Sequence, residues 1–214
     1  PGKYYTEKVP YGYNYMDENN QILDIGPDAS EHGMHVAGIA GANGDVKDGG
    51  IKGTAPEAQI LAMKVFGNNP AMSSTFGDVI IKAIDDSVIL GADVINMSLG
   101  STASFVDDND PEQMAVNRAV DNGVVVAISS GNSGTFGYGL KTPYAQNPDY
   151  GVVGSPGLAT KSIQVASIEN NITTGDGIEF TVNGEEKIYP YTTAGEDILT
   201  VLKGQQLKYL PLQL

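Results

Sequence analysis

The sequence predicts an α/β protein, a parallel sheet with helices on both faces, followed by the start of a β-rich second domain. Three observations carry this reading. Between His32 and Ile168, helical and buried-strand periods alternate along the chain. Val124-Val125-Val126-Ala127-Ile128 is apolar on both sides, as a central parallel strand is. Beyond residue 170 the pattern changes: Ile178 to Val182 and Glu185 to Tyr189 alternate at period two around Asn183-Gly184, a two-residue hairpin turn. Residues 1–170 are therefore read as an α/β domain and 171–214 as the opening of a mostly β one.

The elements follow in order. Val36, Ala37, Ile39 and Ala40 give a helical apolar stripe that starts at His32 and is closed by Gly41 and Gly44. A glycine-rich loop covers 44–53, and Ile60 to Phe66 reads as a strand. Over 76–90, Ile80, Ile84 and Val88 recur at a spacing of four, and Gly91 stands where a helix C-cap belongs. Val94 to Met97 is a short buried strand. The next helix has Asp110 as N-cap, Pro111 at its first position and Glu112 at the positive end of the dipole; Ala115, Val116, Ala119 and Val120 form its core face and Gly123 stops it. Strand 124–128 follows, and Ser162 to Ile168 is the last. Strand–helix–strand order at these lengths implies right-handed crossovers, and such sheets gather functional groups at the carboxyl ends of their strands. Ser98 and Asn132 each lie just past such an end.

Composition removes several classes. The 214 residues are 41% hydrophobic, enough for a packed core, and carry a net charge of −14. That charge disfavours nucleic acid, whose phosphates need basic partners. The absence of cysteine excludes disulfides, thiolate zinc sites and a cysteine nucleophile. No apolar run approaches the roughly 20 residues that span a bilayer. Pro1-Gly2-Lys3-Tyr4-Tyr5 has no signal-peptide pattern, so the chain is expected to begin inside a larger protein.

Two polar signals carry chemistry. His32, within Glu31-His32-Gly33-Met34-His35, offers an imidazole that titrates near neutrality, suited to moving a proton, with Gly33 expected to let the backbone turn tightly beside it. Asn132, within Ser130-Gly131-Asn132-Ser133-Gly134, offers an uncharged amide suited to a developing oxyanion.

These residues resemble the subtilases. His32 to Gly38 is similar to the family's histidine motif, with Met34 where threonine is usual; Asn96-Met97-Ser98-Leu99-Gly100 to its substrate-pairing segment; Ser130 to Gly134 to its oxyanion segment. Ala55-Pro56-Glu57-Ala58 and Met63-Lys64-Val65 keep the family's order. Pro148 to Gly157 and Pro111-Glu112-Gln113 resemble the lactocepin group, the cell-envelope subtilases of lactic acid bacteria, and the complement-cleaving peptidases of streptococci. The resemblance implies a secreted, wall-associated serine endopeptidase acting on an extended protein or peptide substrate. It gives His32 as general base and acid, Asn132 as oxyanion donor, Ser98, Leu99 and Gly100 as backbone partners of the substrate, and Gly131 beside the primary specificity pocket. It implies no cofactor for the chemistry, and an insert of protease-associated type from 171 onward.

The departures matter. Subtilase order is Asp, His, Ser. Asp24-Ile25-Gly26 lies too close to His32 and lacks the apolar strand that should precede the aspartate; Asp17 and Asp28 fit less well. Nothing matches a Gly-Thr-Ser-Met-Ala type of serine motif, and Ser129, Ser130 and Ser133 sit in no nucleophile elbow. The chain is expected to be inactive alone and to need the remainder of its parent protein. The rival reading is a non-catalytic binding or scaffold module that keeps the fold. His35 is read as structural, since His-x-x-His without the zincin glutamate is no metal motif. Asp45 and Asp48, or Asp107, Asp108 and Asp110, could donate oxygens to structural calcium, though without the order of an EF-hand loop.

Overall fold

A computed structural model describes residues 1–24, 29–72, 74–133, 152–168 and 177–190. The chain divides into two compact units, Pro1–Ala166 and Ser167–Leu214. Asp28, Gly134, the Pro148 to Gly151 part of the family-like segment, and 191–214 lie outside the described residues.

The first unit holds five strands and three helices among its described residues: β1 (Tyr11–Asn14), α1 (His32–Gly41), β2 (Leu61–Lys64), α2 (Gly77–Ile89), β3 (Val94–Met97), α3 (Pro111–Asp121), β4 (Val125–Ser129) and β5 (Ile163–Val165). β1 and β2 pair in parallel, Tyr11 opposite Leu61. β3, β4 and β5 form a second parallel sheet with β4 in the centre, Val94 opposite Val125 and Ala127 opposite Ile163. β1 is the element that the pattern analysis missed. The strands expected over 60–66 and 162–168 form as the shorter β2 and β5, and a single 3-10 turn, Val46–Asp48, sits in the glycine-rich loop.

Local chemistry explains the helix ends. The Asp110 Oδ1 accepts from the Glu112 and Gln113 backbone N–H groups at 2.8 and 3.1 Å, capping α3 with Pro111 in its first turn. α2 and α3 both end in a Schellman motif with glycine in the left-handed region, Gly91 at φ +80° and Gly123 at φ +90°. Ala92 N–H donates to the Ser87 carbonyl and Val124 N–H to the Ala119 carbonyl, closing each last turn.

One core joins the two sheets to α2 and α3. Ile80, Ala83 and Ile84 of α2 and Ala115, Val116 and Ala119 of α3 are buried with Val65, Met97, Val126 and Ile128. The small alanines let the helices approach closely. Tyr15, just past β1, is buried in the same core and its hydroxyl donates to the Asp86 Oδ2 of α2 at 3.0 Å. Burial and that neighbouring carboxylate push the Tyr15 phenol well above its ordinary range.

The three-stranded sheet differs from expectation on its other face. β4 was expected to be apolar and buried on both sides, yet Val125 is 48% exposed. Its neighbours Val94, Ile163 and Val165 are also exposed, and strand pairing puts all four on one face. The reason is coverage: α2 and α3 supply the core of the opposite face, where Met97, Val126 and Ile128 point.

The second unit is described through one antiparallel hairpin, β6 (Gly177–Val182) and β7 (Glu185–Pro190), with Val182 opposite Glu185. Asn183 and Gly184 both have positive φ, +53° and +84°. This is the I′ turn, whose twist matches that of the strands.

Candidate active site

Ser98, Leu99 and Gly100 follow β3 directly, and Gly131 and Asn132 follow β4 after Ser130. The two strands are parallel neighbours in register, so these residues stand together at one end of one sheet. Gly131 takes φ +87°, a left-handed turn that lifts Asn132 out of the strand direction, and Asn132 is exposed. The Ser98 Oγ accepts from the Asn96 Nδ2 at 3.1 Å. Ser130 N–H donates to the Val165 carbonyl at 2.9 Å, fixing the start of the segment that carries Asn132 on β5.

A third segment closes this end of the sheet. Ser101 N–H donates to the Ser155 carbonyl at 2.9 Å, and Ser104 N–H to the Val153 carbonyl at 3.0 Å. Ser155 N–H donates back to the Ser101 Oγ at 3.0 Å. A Cβ on Gly154 would lie 1.7 Å from the Ser101 carbonyl oxygen, so only glycine permits this approach. A Cβ on Gly157 would be 3.2 Å from the Ser129 carbonyl oxygen. The 153–157 backbone therefore runs past the ends of both β3 and β4.

His32 is the first residue of α1 and is solvent-exposed. The chain before it is held by Asp24, whose Oδ2 accepts from the Ser30 N–H at 2.8 Å. Gly33 differs from expectation. It lies inside the helix with no positive φ, and a Cβ there would meet nothing within 4 Å. The space above this turn is open, and no tight turn requires the glycine. His35 is exposed and lines a recess of about 410 Å³ with Glu31, Met34, Gly38, Ile39 and Ile51. His32, Ser98 and Asn132 do not line that recess, nor the one beside Lys3, Tyr5 and Leu23.

Three of the acidic candidates, Asp17, Asp45 and Asp107, have structural partners. Asp17 Oδ2 accepts from the Asn14 Nδ2 at 2.9 Å and the Asn68 N–H at 2.8 Å, clipping the turn after β1. Asp45 accepts from the Lys47 N–H and Asp107 from the Asn109 N–H, so both close local turns. Among the described residues no three His, Cys, Asp or Glu side chains gather as a metal-ion site. Glu112, half-buried beside Asp110, has its carboxyl pushed up, first by burial and then by that neighbouring charge. A raised carboxylate pKa means that the folded state holds the proton more tightly than the unfolded chain. The resulting penalty is complete above the raised pKa and fades as pH falls through it toward the ordinary glutamate value. Glu112→Gln is accordingly expected to raise the melting temperature at pH 7, with the gain shrinking on acidification; thermal melts at a series of pH values check this.

Parallel strands joined by crossover helices, with polar segments past the carboxyl ends of adjacent strands, define an α/β protein of the doubly wound kind. The chain belongs to the subtilase family, whose model matches residues 3–208. It is 44% identical over 196 residues to the PII-type proteinase of Lacticaseibacillus paracasei, covering 89% of this chain and 10% of that protein. To the PIII-type proteinase of Lactococcus lactis subsp. cremoris (strain SK11) it is 46% identical over 191 residues, 83% of this chain and 10% of that one. To the C5a peptidase of Streptococcus pyogenes it is 36% identical over 170 residues, 78% of this chain and 14% of that one. The chain thus spans about a tenth of the length of these two proteinases. The family read from the histidine, substrate-pairing and oxyanion motifs is the family the comparisons show.

Proposed function

We propose that this chain supplies the histidine and the oxyanion donor of a serine endopeptidase acting at the cell surface, the remaining triad members coming from sequence outside it. The observation that carries this is the placement of Ser98–Gly100 and Gly131–Asn132 at the carboxyl ends of adjacent parallel strands in a subtilase chain. A serine hydroxyl from outside the sequence attacks the scissile carbonyl while His32 takes its proton. The amide of Asn132 hydrogen-bonds the oxyanion. His32 then delivers the proton to the leaving amine, and water repeats the cycle on the acyl-enzyme. The substrate lies extended along Ser98–Gly100 as an added strand. The cell-surface setting rests on the likeness to cell-envelope subtilases; no helix among the described residues is long and apolar enough to cross a membrane.

Two features support the need for more of the parent protein. β2 and β3 are joined by α2, yet fall in different sheets, so each keeps an edge without a strand partner among the described residues. A right-handed β-α-β crossover permits another strand between them, the place for one ending in the triad aspartate. The exposed valine and isoleucine face of β3–β5 likewise calls for a cover, since parallel sheets are buried on both sides.

The purified 214-residue chain is expected to hydrolyse no unstructured protein and to take up no fluorophosphonate, which labels only an activated serine. The intact protein is expected to do both. Hydrolysis by the chain alone, blocked by a serine-directed inhibitor, contradicts the division of the triad. An intact protein that neither cleaves nor labels contradicts the peptidase reading and favours a scaffold.

A further inference from the structure

We propose that Asp110 and Ser155 form a tether that positions the substrate crevice, setting the wall beside Ser98–Gly100 from the start of α3; this rests on the peptidase reading above. The Asp110 carboxylate serves two purposes. Its Oδ1 caps α3, while its Oδ2 accepts from the Ser155 Oγ at 3.1 Å and from the Gln113 Nε2 at 3.3 Å. Gln113 is only 2% exposed, and its amide is satisfied on the far side: Nε2 donates to the Phe105 carbonyl at 2.9 Å and Oε1 accepts from the Asp107 N–H at 3.2 Å. The loop between β3 and α3 is thereby bound to the helix it leads into, and Ser155 is bound to the same carboxylate.

Ser155 is the residue through which this reaches the crevice. Its carbonyl takes the Ser101 N–H, its own N–H meets the Ser101 Oγ, and its carbonyl oxygen would stand 3.2 Å from a Cβ on Gly100. Gly100 is the last residue of the segment that pairs with the substrate backbone. A hydrogen bond to a charged acceptor, anchored on a capped helix, holds a wall more firmly than loop-to-loop bonds between neutral groups can. Asp110 and Ser155 are positioning residues that work through Gly100. They act on binding and side-chain selection, and leave proton transfer to His32.

The test uses Ser155→Ala and Ser155→Thr in the intact protease, with peptides that vary the side chain before the scissile bond from alanine to leucine to phenylalanine. Ser155→Ala keeps the α3 cap intact. It is expected to raise KM by roughly 5- to 10-fold, the scale of one lost hydrogen bond of ordinary net strength. Discrimination among the three peptides should fall while kcat stays within about twofold, because the bond is made alike in ground and transition states. Ser155→Thr, which keeps the hydroxyl, should restore both KM and discrimination. A wild type that cleaves, with Ser155→Ala unchanged in KM and discrimination, overturns the tether alone. So does a loss of kcat in both variants that tracks a fall in melting temperature, the mark of a merely structural residue. A wild type that cleaves nothing overturns the peptidase reading, and the tether's role with it.

Discussion

Replacing Asn132 with alanine in the intact protease is expected to lower kcat by roughly 10²- to 10³-fold with KM nearly unchanged. His32→Ala is expected to cost on the order of 10⁶-fold. These magnitudes are known for subtilisin and reach this chain through its family, not through its geometry. The direction does follow from chemistry. An amide that meets the oxyanion has its partner only in the transition state, so its loss falls on kcat. The imidazole moves a proton only as bonds form and break, with the same consequence. Steady-state kinetics on one peptide, with folding checked by circular dichroism, decide the matter. If Asn132→Ala raises KM at constant kcat, the amide binds substrate and is no oxyanion donor. If His32→Ala keeps a tenth of the activity, another group carries the proton.

That experiment probes a site whose parts differ in how visible they are before folding. The segments after β3 and β4 are legible because each follows a strand that local pattern defines, and their union follows from strand pairing. α3 was readable for a similar reason: its cap, its proline and its terminating glycine are all local signals, and the Asp110 bonds confirm them. The same holds for the hairpin, where Asn183-Gly184 supplies both positive φ angles. β1 was not readable, since Tyr-Gly-Tyr-Asn is too short to show a period and is a strand only because β2 pairs with it. The alternation of Tyr11, Tyr13 and Tyr15 was the one available hint, aromatic residues being favoured in strands. The exposure of Val125 was hidden for a different reason. Hydropathy reports what a residue can bury, whereas exposure depends on which helices lie against each face. The Gln113 amide likewise has an ordinary residue's sequence signature, and its burial follows from the 105–107 backbone closing over it.

Gly154→Ala is expected to be the most destabilising of the single-methyl changes considered. The new Cβ would lie 1.7 Å from the Ser101 carbonyl oxygen and 2.4 Å from its carbon, both backbone atoms that no rotamer change can move aside. The 153–155 and 101–104 segments must separate, and the bonds from Ser101 N–H to the Ser155 carbonyl and from Ser104 N–H to the Val153 carbonyl are lost with that separation. Overpacking costs about 1–3 kcal/mol and each hydrogen bond about 1 kcal/mol, so the loss is on the order of 3–5 kcal/mol. For a domain of this size that lowers the melting temperature by about 10 °C. Gly38→Ala is the matched control. It adds the same methyl inside α1, where nothing lies within 4 Å, and is expected to stabilise by about 0.5–1 kcal/mol through helix propensity. Opposite signs from one chemical change would show that the 154 position is set by backbone approach, not by glycine's flexibility. Hydrogen exchange at the Ser101 and Ser104 amides supplies the local reading: both should lose protection in Gly154→Ala. A variant that melts within a degree of wild type, with both amides still protected, would mean that the two segments do not pass as closely as this geometry requires, and the wall beside Gly100 would lose its basis.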